Sequence, residues 1–202
     1  MTATAGGDAL RSQLREALLA PEHAAGLTAS GSTRAAVLVP LRERDGRLDV
    51  VLTRRRNDMR RHAGEIAFPG GRADPEDPSL TATALREAEE EIGLPAGNVE
   101  VLGALPPVGT MVTGYAVYPV VGWIEHPGAW RLSPREVDAV LELDLAAVRD
   151  GYERKRLVRR GIPFLTDAYV VDDHLIWGAT ARMLGELFDR VSDVVPTLAA
   201  RG

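Results

Sequence analysis

Apolar positions along this chain fall into two rhythms. Leu10, Leu14, Ala17 and Leu18 recur at helical spacing and predict an amphipathic helix over Asp8 to Ala20, behind a small polar tail from Met1 to Gly7. Residues 21–33 read as a loop. The run AAVLVPL within Arg34 to Arg44 is continuously apolar, as in a strand buried on both faces, with Pro40 interrupting it near its end. Asp45 and Gly46 make a hairpin turn, and Leu48 to Thr53 supply the returning strand. Further strands are expected at Val99 to Leu105, Ala116 to Ile124 and Ala139 to Leu143, with a loop containing Trp130 between His126 and Pro134. The basic run Arg154 to Arg160 suits a solvated loop or strand face. Residues 162–177 suit a hairpin turning at Asp172 and Asp173. Ile176, Met183, Leu184, Leu187, Phe188 and Val191 mark the buried side of a closing helix.

One stretch departs from these ordinary patterns. Gly70 to Leu94 reads GGRADPEDPSLTATALREAEEEIGL, and its second half, Leu85 to Gly93, is helical by pattern. Asp77, Pro78 and Ser79 signal the start, with Asp or Ser as N-cap, and Gly93 followed by Pro95 signals the stop. Leu85, Ala88 and Ile92 form an apolar stripe, while Glu87, Glu90 and Glu91 stand at i, i+3 and i+4 on another face. These acids crowd the C-terminal end, where the helix dipole favours cations, and Glu87 opposes Glu91 at i,i+4. Arg86 can pair with Glu90, but one arginine does not neutralise four glutamates. Two readings stand side by side: a solvated acidic face, or a site for a hard divalent cation, which prefers carboxylate oxygens.

Composition narrows the rest. The 202 residues, 45% hydrophobic, suit one globular domain. A net charge of −5 argues against a general nucleic-acid surface. With no cysteine, disulfides, thiol catalysis and cysteine-based zinc sites are excluded. The first residues lack the pattern of a signal peptide, and no apolar run is long enough to span a bilayer, so a cytoplasmic protein without membrane contact is the expectation. Just upstream of the acidic helix, LTRRRNDMRRHAGEIAFPGG gathers Arg54, Arg55, Arg56, Arg60, Arg61 and His62. Guanidinium groups bind phosphate through paired, charge-assisted hydrogen bonds, although each arginine alone suits a solubilising loop, and His62 reads as an ordinary loop histidine.

The order Arg86, Glu87, Glu90, Glu91, Gly93, Leu94 with Gly70 and Gly71 upstream resembles the Nudix hydrolase box. That family pattern places a glutamate six residues after the box glycine and eight before the arginine. Here the sixth residue after Gly71 is Asp77, nine before Arg86, so the loop is one residue longer, with Asp77 or Glu76 in place of the usual acid. A narrower resemblance, to coenzyme A pyrophosphatases, rests on Leu52, Thr53, Arg55, Arg60, Gly64 and Phe68 to Gly71, with Arg56 where a small residue is common. The T-G-Y-x-V-x-P stretch ending at Pro119 and the I-W-G-A-T-A stretch from Ile176 are similar to the same subgroup. The likeness covers residues 34–190 in blocks and is densest over 50–95.

The resemblance implies an α/β fold, a Nudix-type α/β/α sandwich with a mixed β-sheet, as a single domain over 34–192 between an N-terminal tail and helix (1–33) and a C-terminal tail (193–202). It implies Mg²⁺ or Mn²⁺ held by Glu87, Glu90 and Glu91 with the Gly70 carbonyl, and Glu90 or Glu136 as the base. Arg86 would orient the carboxylates. Arg54, Arg55 and Arg60 would contact phosphate, and Tyr115 would line the site. On the residues alone, Glu136 also suits a solvated loop acid and Tyr115 a half-buried strand-edge tyrosine. The implied reaction cleaves the diphosphate of coenzyme A to 3′,5′-ADP and 4′-phosphopantetheine. Its rivals are another nucleoside diphosphate derivative (ADP-ribose, a dinucleotide or a nucleoside triphosphate) and a catalytically silent ligand sensor. The expected partner is a small nucleotide-like molecule, with no nucleic acid and no membrane; the sequence leaves monomer and homodimer open.

Overall fold

The apolar run that opens the domain becomes the centre of a sheet. In a computed structural model describing residues 4–56, 64–110, 114–159, 161–195 and 198, the chain begins with α1 (Thr4–Ala17) and α2 (Pro21–Gly26). The central strand β1 (Thr33–Arg44) turns at Asp45 and Gly46, both with positive φ, into β2 (Arg47–Arg55). Short strands β3 (Ile66–Ala67) and β4 (Gly70–Arg72) lead to α3 (Leu80–Ile92). Strands β5 (Val99–Ala104), β6 (Val108–Gly109), β7 (Tyr115–Ile124) and β8 (Val137–Asp144) follow, then α4 (Leu145–Asp150). A second sheet of β9 (Tyr152–Arg159), β10 (Ile162–Val171) and β11 (His174–Trp177) precedes α5 (Gly178–Val191).

Strand β1 runs parallel to β7 and antiparallel to β2 and β4, which makes the eight-stranded sheet mixed. Pairing on both sides explains why β1 reads as one unbroken apolar run. Pro40 does not end the strand, contrary to the expected interruption. Leu38 N donates to Pro69 O, away from β7. Period two aims the missing Pro40 donor the same way, into the gap between β4, which pairs as far as Val37, and β2, which pairs from Leu41. The ladder loses nothing there.

Alternation along β1 sorts side chains to two cores. Val37, Val39 and Leu41 face Leu14 and Leu18 of the N-terminal segment and Leu184, Leu187 and Phe188 of α5. Ala36 and Leu38 face Ala84, Ala88 and Ile92 of α3. Helices on both faces of a mixed sheet give the α/β/α sandwich that the resemblance implied.

Several expectations need adjustment. The first helix starts at Thr4 rather than Asp8 and stops at Ala17, so residues 4–7 of the expected tail are helical. Residues 21–33 are not all loop: Pro21, with its fixed φ, occupies the first turn of α2. The basic run from Arg154 is a strand rather than a loop as far as Arg159. Helix α4 went unread because six residues carry too little periodicity. Beyond residue 192, Val195 and Leu198 are buried in the α5-side core.

Candidate functional site

The site is built where α3 meets β4. Ser79 caps the helix, its Oγ accepting from Ala82 N at 3.1 Å, so Pro78 lies just outside. Gly93 ends it in the left-handed conformation (φ 69°), with Leu94 N reaching back to Ala88 O. A side chain at Gly93 would also strike Arg131, since a Cβ there would stand 2.7 Å from Arg131 Cβ. The last carbonyls of this acid-loaded helix find donors outside it: Ser133 N donates to Glu91 O at 2.8 Å and Arg131 N to Ile92 O at 3.0 Å. Backbone from a distant loop thus supplies the partial positive charge that the helix lacks at its C-terminal end.

Strand β4 comes close enough to need its glycines. A Cβ on Gly70 would sit 2.4 Å from Ala36 O, and one on Gly71 would sit 2.6 Å from the Glu87 carboxyl group. Gly70 N donates to Glu91 Oε2 at 3.3 Å. Glu91 is only 4% exposed, and burial pushes its carboxyl up to about 7, against the opposing pull of Arg55 and the Gly70 N–H. Burial also raises Glu87, with Arg86 opposing and the charges of Glu90 and Glu136 adding to the rise. Glu90 is the exposed member of the three.

Two arginines divide these acids between them. Arg86 donates through Nε and Nη2 to the two oxygens of Asp77 (3.0 and 2.9 Å), and through Nη1 to Glu87 at 3.0 Å and Glu90 at 3.3 Å. Asp77 also accepts from Asp74 N and Thr83 Oγ1, and its Arg86 partner holds it well below the usual carboxylate range. The acid in the longer loop is therefore a bracket for Arg86, a role that the box spacing did not reveal. Arg55 stands between Glu91 (3.7 Å) and Glu136 (3.8 Å). Glu136 is in turn held on its loop, its carbonyl accepting from Arg56 N while Arg56 Nη1 reaches Pro134 O. Trp130 Nε1 donates to Glu142 on β8 at 2.7 Å and ties the same loop down further back.

The structure thus brings together Glu87, Glu90, Glu91, Arg86, Gly70, Arg55 and Glu136, which are spread over some eighty positions of sequence. Arg55, expected to contact phosphate, stands in ion pairs with two carboxylates here. Arg54 points elsewhere: it donates twice to Asp138 Oδ2 and lines a cleft of about 450 Å³ with Glu65, Ile66, His174 and Trp177. Tyr115 packs against the α5-side core, across the sheet from α3, and is not gathered with the carboxylates. Arg60, Arg61 and His62 lie outside the described residues. Among the described residues, no three acidic or histidine side chains converge closely enough to hold a metal ion as they stand; Arg86 pairs with Glu87 and Glu90, and Arg55 with Glu91. None of the described helices is long and apolar enough to cross a membrane.

The model of the NUDIX domain matches residues 32–160. Relatives from Salmonella paratyphi B and Salmonella newport, each described as an uncharacterized Nudix hydrolase, NudL, are 46% identical over 156 residues, spanning 76% of this chain and 80% of theirs. Among solved structures, a MutT/nudix family protein from Enterococcus faecalis aligns with 98% of this chain and 81% of its own, at TM-score 0.56 and 19% identity. A NUDIX hydrolase from Alicyclobacillus acidocaldarius aligns with 60% and 82%, at TM-score 0.50 and 25% identity. With its acidic helix, glycine-lined strand and α/β/α sandwich, the chain belongs to the Nudix hydrolase family.

Proposed function

We propose that the protein is a divalent-metal-dependent diphosphatase that cleaves coenzyme A or its derivatives to 3′,5′-ADP and 4′-phosphopantetheine, or its acylated form. The chemistry rests on one observation: two carboxylates withdrawn from solvent, the buried Glu91 and the partly buried Glu87, face each other and Glu136 with charge that the nearby arginines offset only in part. Hard oxygen donors of like charge, with a third acid on the open side, suit Mg²⁺ or Mn²⁺. The substrate rests on the resemblance of Leu52, Thr53, Arg55, Arg60, Gly64 and Phe68 to Gly71 to coenzyme A pyrophosphatases.

Glu87, Glu90 and Glu91, with the Gly70 carbonyl, would hold the ion. A bound cation supplies neutralisation of the diphosphate charge, polarisation of phosphorus and a lower pKa for an attacking water. The protein does the rest. Arg86, clamped by Asp77, fixes the Glu87 and Glu90 carboxylates from one side. Glu136 accepts the proton of the water; it lies near Glu87 and Glu91 and is held by the loop clipped to the end of α3. Glu90, bonded to Arg86, is the second candidate for that role. Arg55 is placed to turn from carboxylate to phosphate once a cation shares the acids.

The deciding assay incubates the protein with coenzyme A and Mg²⁺ or Mn²⁺, with and without EDTA, and resolves the products by chromatography. Metal-dependent formation of 3′,5′-ADP is expected. Cleavage of ADP-ribose, a dinucleotide or a nucleoside triphosphate instead would keep the site and replace the substrate. No turnover on any of them would indicate a ligand sensor.

Gly71→Ala tests the fit of strand to helix. The added methyl displaces the Glu87 carboxyl group by about 1 Å, a misplacement worth roughly 10²-fold in kcat, while the melting temperature stays close to that of wild type. Unchanged kcat would show that Glu87 needs no defined position.

A further inference from the structure

The hairpin β9–β10 has no part in the site, yet it is unlike the rest of the surface. Among the described residues, the large hydrophobic side chains that stand exposed are Tyr152 (51%), Val158 (68%), Ile162 (68%) and Leu165 (53%), and all four belong to this one hairpin. Register puts most of them together. Val158 pairs with Pro163, Arg156 with Leu165 and Arg154 with Asp167, and cross-strand partners share a face. One face therefore presents Val158, Pro163 and Leu165 interleaved with Arg154 and Arg156. Apolar groups concentrated in this way mark a contact surface rather than the scattered exposure normal for soluble proteins.

Charge indicates what covers it. Residues 152–171 hold five basic and two acidic side chains, a net +3, whereas the whole chain carries −5. The remaining residues therefore carry −8. A nucleic acid or an anionic bilayer attracted to the hairpin would be repelled by the body behind it. The body of a second copy offers the opposite sign over a large area. Contact by the outer edge of β9, the last strand of its sheet, is disfavoured because Arg154, Lys155 and Arg156 would meet their own counterparts. The face of the hairpin is the surface that remains.

We infer that the protein is a two-fold homodimer in which the β9–β10 hairpin of each copy lies on the acidic body of the other. Such an interface is reciprocal, each hairpin being used once. It buries the exposed apolar residues and pairs the basic arm with negative surface.

Size-exclusion chromatography with light scattering, and sedimentation velocity across a concentration series, test it on the full-length chain. The expected mass is twice the 21.8 kDa of one chain. Val158→Asp with Leu165→Asp, both on that face, should give a folded 21.8 kDa species, with unchanged far-UV circular dichroism. Arg154→Glu with Arg156→Glu, which leaves the apolar residues in place, should raise the dissociation constant by about ten-fold or more, less so at high salt. A wild-type monomer at every concentration overturns the proposal, as does a dimer indifferent to both double variants. A monomer that sediments with anionic vesicles would assign the hairpin to lipid instead.

Discussion

Glu87→Gln is expected to reduce metal-dependent hydrolysis about 10³-fold while leaving the fold intact. Glutamine keeps the size of the side chain and can still accept from Arg86 Nη1, which lies 3.0 Å from the present carboxylate. What is lost is one negative charge at the position that a cation would use. Metal stabilisation of transition-state charge is worth several kcal/mol, and each 1.36 kcal/mol is ten-fold in rate, so loss of a ligand reaches roughly 10³. Initial rates over a range of Mg²⁺ concentrations should show kcat falling and half-saturation by metal rising. Melting temperature serves as the control. A variant as fast as wild type would remove Glu87 from the metal site.

Glu91→Gln should inactivate the enzyme and stabilise the metal-free fold at alkaline pH. Burial lifts the Glu91 carboxyl from an ordinary 4.5 to about 7. A raised pKa means that the folded state holds the proton more tightly than the unfolded chain. The stability gained from that proton is therefore complete below about 4.5, declines as pH rises towards 7 and is lost above it. The gap is worth about 3 kcal/mol, or roughly 6–12 °C in a chain of this size. In EDTA, wild-type melting temperature should fall between pH 4.5 and pH 7, and the variant should follow a flatter line and melt higher at pH 8. Adding Mg²⁺ at pH 8 should stabilise wild type, by about 2.7 kcal/mol at a hundred times the dissociation constant, with a much smaller gain in the variant. A variant that melts below wild type at pH 8 in EDTA would show that the Glu91 charge is better compensated than its burial implies.

The two variants draw on different parts of the same helix, and their legibility differed accordingly. Glu87, Glu90 and Glu91 were readable because helical spacing is local: i, i+3 and i+4 share a face wherever the helix packs. The caps Ser79 and Gly93 were readable for the same reason. Spacing could not show that Glu91 is buried while Glu90 is exposed, since that depends on where β4 and β1 pass. Nor could it show that Asp77 clamps Arg86: a one-residue longer loop looked like a departure, and folding returns the acid to the arginine. Neighbours in sequence were also separated. Arg54 and Arg55 adjoin, yet alternation along β2 sends one to Asp138 and the other to Glu91 and Glu136. Tyr115, read as a lining residue, alternates to the face away from α3.

The sequence by itself determined the strands around Asp45–Gly46, the course of the acidic helix, the three carboxylates on one of its faces and the family they resemble. Each of these depends on interactions within a few residues. The tertiary structure alone decided that β4 needs Gly70 and Gly71 for close approach, that Arg55 bridges Glu91 to Glu136, and that the loop of Arg131 and Ser133 completes the end of α3. It also decided that the exposed apolar residues gather on β9–β10. Those contacts join segments far apart in the chain, where register and burial, rather than local propensity, set which groups meet.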